Sequence, residues 1–223
     1  IYVMTFKDAI DQEIISDYKI VTMLISNSEV DKLVEENYFL STDLKKLDES
    51  SAQYLASGIA LKKSFRKYKL KHAISFHRSI LLAKQFQNQQ DHLNTIPSLR
   101  PKVENLHISS KKSSGERTEL LKDFTELDRS LLTNARCLTE GVDVPAIDCV
   151  MFVDPKQSTV DIVQAAGRAL RKHSSKECGY ILLPVVVPEK VDFETFLETT
   201  AFKKISSIIA SLSSQDERIA EEY

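Results

Sequence analysis

Short runs of β-type apolar residues alternate along this chain with segments whose apolar residues return every three or four positions. That alternation limits the fold more than anything else in the sequence. The runs are Tyr18-Lys19-Ile20-Val21-Thr22-Met23-Leu24-Ile25, then Lys71–His77, Val103–Ile108, Arg129–Thr133, Cys149–Val153 and Gly179–Val187. Between and after them the pattern predicts helices. One runs over 51–66, with Ser50 or Ser51 as N-cap, and one over 78–90 through Ile80, Leu81, Leu82 and Phe86. A third spans 115–127, with Leu120, Leu121, Phe124 and Leu127 on one face. Two more are predicted over 158–171, capped by Ser158 or Thr159 with Asp161 in the first turn, and over 191–211. Strands alternating with helices of about 12–15 residues imply right-handed βαβ units and a mainly parallel sheet. The class is α/β, and such folds bind ligands outside the carboxyl ends of their strands. Residues 1–25 read as strand, short helix, strand. Residues 27–50 are charged and irregular, a surface insertion or a short helix.

Composition excludes several function classes. A chain of 223 residues supports one large domain, or one domain with a small appendage. It buries roughly 70% of its unfolded surface and needs no staples. The formal net charge is −2, so no strong overall field draws it to nucleic acid, and any such contact must use a local groove. Cys137, Cys149 and Cys178 are scattered, with no C-x-x-C, which speaks against a disulfide framework or zinc site and for a reducing, cytoplasmic compartment. His72 and His77, five apart on a strand, face opposite sides and cannot chelate together. No metal site is expected. No apolar run reaches the ~18 residues of a membrane span, and no signal-peptide pattern is present.

Two blocks carry the chemistry. The first is Leu132-Thr133-Asn134-Ala135-Arg136-Cys137-Leu138-Thr139-Glu140-Gly141-Val142-Asp143-Val144-Pro145, a strand that ends in a polar, glycine-containing loop. The second is Gln164-Ala165-Ala166-Gly167-Arg168-Ala169-Leu170-Arg171. Gln164, Gly167, Arg168 and Arg171 fall at i, i+3, i+4 and i+7, one face of a helix, and a helix that projects two arginines and a glutamine together is suited to an anion. A complete phosphate-cradling site also needs a Gly-rich loop ending in Lys and Ser or Thr. None of Gly58, Gly115, Gly141, Gly167 and Gly179 is followed by Lys-Ser or Lys-Thr, and no Asp-Glu pair ends an apolar strand to hold magnesium.

Together the blocks resemble motifs V and VI of superfamily 2 helicases and DNA translocases. The phrases Asn134–Asp148, Phe152-Val153-Asp154-Pro155 and Asp161–Ala165 narrow the likeness to the helicase subunits of restriction systems, particularly single-chain type I-like enzymes. The match runs over roughly 5–25 and 70–220; it is specific in the two motifs and loose elsewhere. DEAD-box RNA helicases usually carry His-Arg-x-Gly-Arg-x-Gly-Arg in motif VI, whereas this chain has Gln164 and lacks Gly at position 170.

The resemblance implies a RecA-like three-layer αβα domain with a C-terminal helical extension. Residues 1–25 would enter from an amino-terminal motor domain, 26–190 form the RecA-like domain, and 191–223 form the extension. It implies Arg168 and Arg171 as the arginines that meet the γ-phosphate of ATP, an effect worth ~10³–10⁵ in rate. Gln164 would position the attacking water. Gly141 would let backbone approach the nucleotide, Asp143 would bind ribose hydroxyls, and Gly167 belongs to the same cofactor-binding set. Thr139, Ser75 and Arg78 are implied contacts to the nucleic-acid backbone, although Ser75 reads equally as an ordinary strand residue and Thr139 as a loop cap. The Ser109–Gly115 loop, with Lys111 and Lys112, reads as a phosphate contact or as a solvated loop. ATP and magnesium would be held mainly by the amino-terminal RecA-like domain of a longer parent chain, so this chain alone is expected to be inactive. The expected partner is duplex DNA. The rival readings are a non-catalytic RecA-like module that binds nucleic acid or protein, and an RNA helicase domain.

Overall fold

The computed structural model describes residues 6–36, 49–135, 147–153, 159–169, 171–173, 176, 178–187, 195, 198–214, 216 and 219. The strands are β1 (Tyr18–Ser26), β2 (His72–Phe76), β3 (Glu104–Ile108), β4 (Ser130–Asn134), β5 (Cys149–Phe152) and β6 (Gly179–Val187). The helices are α1 (Phe6–Asp11), α2 (Asn27–Glu36), α3 (Glu49–Lys67), α4 (Ile80–Leu93), α5 (Ser114–Glu126), α6 (Thr159–Ala169) and α7 (Thr200–Ser213). A short 3₁₀ turn occupies Pro97–Leu99.

The strands form one six-stranded sheet in the order β1-β6-β5-β2-β4-β3, and every pairing is parallel. Parallel strands need helices over both faces, and the central strands are buried accordingly. The handedness rule then sorts the helices. Connections that travel toward the β3 edge carry α2, α3 and α4. Those that travel back carry α5 and α6. The two groups therefore cover opposite faces, and the core divides with them. Ile74, Phe76, Leu132, Val150 and Phe152 pack toward α1, α5, α6 and α7. Ala73, Leu131, Cys149 and Met151 pack toward Leu61 and Phe65 of α3 and Phe86 of α4. Alternation along each strand produces this division.

Local chemistry sets the helix starts. Ser79 accepts a hydrogen bond from Leu82 N at 3.2 Å, which starts α4 at Ile80. Ser113 and Glu116 form a reciprocal capping box that starts α5 inside the loop after β3. The charged stretch after β1 begins with α2, whose Val30 and Leu33 join a third apolar cluster with α3; residues 37–48 lie outside the described residues. At Gly58 an added Cβ would come within 2.5 Å of Gln90 and 2.7 Å of Leu93, so the missing side chain lets α3 approach α4 closely.

Two expectations are corrected. Leu81 does not share the buried face of α4: it is 67% exposed, and Ala83 and Phe86 are fully buried instead. The helix of the second motif, described over Thr159–Ala169, does not include Arg171, which stands in a β-bridge with Ile15. The extension is packed onto the domain, with Ile205, Ile208 and Leu212 of α7 in the core against α6 and β6.

Phe86 sits between the rings of Tyr54, at 6.1 Å, and His77, at 5.0 Å. Phe86→Ala is expected to cost about 3–5 kcal/mol in urea unfolding, while Leu81→Ser stays within about 0.5 kcal/mol of wild type. Equal effects would contradict this placement of the α4 face.

Candidate functional site at the carboxyl edge of the sheet

Neighbouring strands β2 and β5 send their chains to opposite faces, β2 into α4 and β5 into α6. A parallel sheet opens a ligand crevice at such a reversal, outside the carboxyl ends of the strands. Phe76 and Phe152, the last residues of these strands, stack with ring centroids 5.7 Å apart. Arg78 is exposed immediately before the Ser79 cap, and α6 follows β5.

Ile162, Ala165 and Ala166 of α6 are buried in the core, which turns Gln164 outward, where it is exposed. Position 168 lies one turn further along the same helical face. Gly167 lies against α1: a Cβ there would stand 3.5 Å from the ring of Phe6. Gly167 thus meets a packing partner rather than an open crevice. Arg171 is exposed and follows the helix. It pairs with Ile15 in an isolated antiparallel bridge, Lys172 N donates to Ile14 O at 3.4 Å, and the Lys172 ammonium meets Glu13 at 2.8 Å. The segment after α1 therefore clamps the residues after α6, and Arg171 stands in strand-like pairing outside the helix. Gln164 and position 168 share a face; Arg171 reaches the same end of the domain through the clamp.

Ser75 is fully buried, and its Oγ is 2.9 Å from His77 Nε2. The hydroxyl lies inside the domain, one residue layer behind Arg78. His77 N also donates to Asn134 O at 3.0 Å, tying the ends of β2 and β4 together. Thr139, Gly141 and Asp143 lie outside the described residues, as does the side chain of Arg168.

The sequence from 61 to 173, just over half of the chain, matches the helicase conserved C-terminal domain. The chain belongs to that family. An ATP-dependent type ISP restriction-modification enzyme, LlaBIII, in its DNA-bound structure, superimposes with a TM-score of 0.79 at 28% identity, over 98% of this chain and 15% of its own. A probable helicase of African swine fever virus is 37% identical over 112 residues, 47% of this chain and 12% of its own length. An ATP-dependent RNA helicase of Schizosaccharomyces pombe is 29% identical over 112 residues, 50% of this chain and 14% of its own. The matches thus span only 12–14% of these two relatives. The fold is RecA-like.

Behind the crevice of this helicase domain lies a polar layer that the sequence reading did not single out. His107 Nδ1 is 3.0 Å from Thr133 Oγ1, its register partner on β4. His77 Nδ1 and His107 Nε2 are buried without hydrogen-bond partners. Period-two alternation is a signal for the Ser75–His77 pair; the cross-strand Thr133 contact has none. Burial, and then the neighbouring His107, hold the His77 imidazole down to about 3. Burial also pushes His72 and His107 below the usual range.

The sign follows from proton counts. Unfolded imidazoles take a proton near pH 6.5, and folded His77 refuses it until about 3. As pH falls below about 6.5 the unfolded state binds more protons, and stability drops by about 1.4 kcal/mol per pH unit for each excluded proton. Asp148 acts oppositely, because burial raises its carboxyl to about 6 and the folded state gains a proton first. Urea unfolding at pH 7 and pH 5 is expected to show His77→Asn losing about 2 kcal/mol less than wild type on acidification. Equal losses would contradict a buried neutral His77.

Proposed function

We propose that this chain is the second motor domain of an ATP-dependent DNA helicase or translocase, which completes a nucleotide site begun by an amino-terminal RecA-like domain of a longer parent protein. The observation that carries the reading is the placement of α6. Its apolar face is buried, its Gln164 face is turned out, and it borders the crevice at the carboxyl edge of the sheet. A surface there meets a second domain across a ligand without disturbing the core.

In this reading Arg168 and Arg171 neutralise charge developing on the γ-phosphate, which suits guanidinium because it stays charged and forks onto oxyanions. Gln164 orients the attacking water, and Gly141 and Asp143 touch the nucleotide. The clamp between residues 13–15 and 171–172 fixes where Arg171 stands relative to α1. Among the described residues no group of His, Cys, Asp or Glu is arranged to hold a metal, and the reading assigns magnesium to the amino-terminal domain and the nucleotide. Arg78 and Thr139 contact backbone phosphates, which position nucleic acid without reading sequence, while Ser75 acts through His77 to fix the end of β2. Duplex DNA is favoured by the likeness to LlaBIII, whose structure was described bound to DNA. RNA is the second reading, favoured by the likeness to the fission-yeast RNA helicase. Among the described residues no helix is long and apolar enough to cross a membrane; the reading places the protein in the cytoplasm.

Arg168→Ala and Arg171→Ala, each made in the parent protein, are expected to cut ATP turnover roughly a hundredfold or more while nucleotide binding survives. Unchanged turnover in both would remove the arginines from the mechanism. Stronger stimulation of the same turnover by duplex RNA than by duplex DNA would select the second reading.

A further inference from the structure

A second polar site lies in the helical layer away from α6. A cleft of about 250 Å³ opens between α2, α3 and the turn after α4; among the described residues Lys32, Lys62, Lys63, Arg66 and Arg100 line it with one carboxylate, Glu29. The charge concentrated there is strongly positive, although the whole chain carries −2. The last turn of α3 leads into the start of β2, and the Pro97–Leu99 turn leads toward the start of β3. The cleft therefore belongs to the helical layer away from α6, and its lining includes neither Arg78 nor any residue of α6.

Lys62 is the telling residue. Its side chain is only 1% exposed, and its Nζ donates to Asn94 Oδ1 and to the Pro101 carbonyl. Both acceptors are neutral. Among the described residues no carboxylate stands within ion-pair distance of it, whereas Lys63 is paired with Glu29 at 2.6 Å. A buried ammonium with no anion is costly; Lys62 is lowered to about 8, chiefly by burial, with Asp91 and Glu104 opposing the shift and Arg100 and Lys102 adding to it. Two of its three N–H groups are used. An anion in the cleft would accept the third and remove the unpaired charge. Arg66 and Arg100, both exposed, are forks suited to the oxygens of one phosphoryl group.

We propose that this cleft binds a phosphate group, with Lys62, Arg66 and Arg100 as its ligands, at a site separate from the motor crevice. The phosphate comes either from a nucleic-acid backbone passing over this helical layer or from a free phosphorylated small molecule. The proposal does not depend on the role of Arg168 and Arg171.

The test uses the 223-residue chain with two probes, inorganic pyrophosphate by calorimetry and a fluorescent DNA duplex by anisotropy. Wild type is compared with Arg66→Glu/Arg100→Glu, with Lys62→Met, and with a control reversal of exposed charges elsewhere, Lys122→Glu/Lys203→Glu. Thermal unfolding verifies that each variant folds; replacing a lone buried charge by an apolar side chain of similar length is expected to be tolerated. Wild type is expected to bind pyrophosphate saturably, with affinity falling roughly tenfold or more in both cleft variants and not in the control. A parallel tenfold fall in duplex affinity in the cleft variants alone identifies the backbone as the source. Unchanged duplex affinity identifies a free ligand. Loss for the duplex without saturable pyrophosphate binding also supports the site and assigns it to backbone. Absence of wild-type binding by both probes, or affinities for both that survive the cleft substitutions or fall equally in the control, would overturn the proposal.

Discussion

The parallel pairing of β2 with β5 is the contact on which the rest of the domain depends. These strands are adjacent in the sheet but distant in the chain, and their registers align Ala73 with Cys149 through Phe76 with Phe152. The single handedness of the crossovers obliges the chain to leave them on opposite faces. Two consequences follow. A crevice opens at their carboxyl ends, and the α4 and α6 sides of that crevice belong to separate helical layers. Phe76 stacks on Phe152 at the ends of these strands. The buried histidine layer stiffens the strand ends from behind without offering charge to the solvent.

The second organising contact is the clamp from the segment after α1 to the segment after α6. α1 packs Phe6 against Gly167 and against the edge of Tyr18, and Tyr18 in turn reaches Asp216 past the end of α7 at 2.9 Å. The start and the close of the described chain therefore meet around the helix that carries Gln164 and position 168. In the proposed motor, a force that moves α1 relative to the sheet is felt by Arg171 through backbone pairing, a stiffer link than a surface ion pair. The exposed Glu13–Lys172 bridge adds little on its own.

Much of this was legible in the sequence because it rests on short-range periodicity. β6 matches its predicted run, β1 exceeds its own by one residue, and Phe86 and Phe124 fall at helical core positions as expected. The family was legible because Gln164, Gly167 and Arg168 sit at fixed spacing after Gly141 and Asp143. Features decided by distant pairing were not. Arg171 pairs with Ile15, far away in sequence, and is not helical, whereas helical spacing alone extended the helix to it. Ser75 carries a surface-type hydroxyl, and its burial follows from the α3 and α4 layer over its face of β2. Lys62 reads as one of several lysines on a charged helix; it is buried because Asn94 and the Pro101 carbonyl close over it.

The central claim is that this domain supplies one half of a nucleotide site whose other half lies in an amino-terminal motor domain. Steady-state ATP hydrolysis by this chain alone and by its full-length parent, each with and without duplex DNA, tests it most directly. The account predicts negligible turnover by the chain and DNA-stimulated turnover by the parent. Appreciable hydrolysis by the isolated chain, or a parent inert with every nucleic acid, would contradict it.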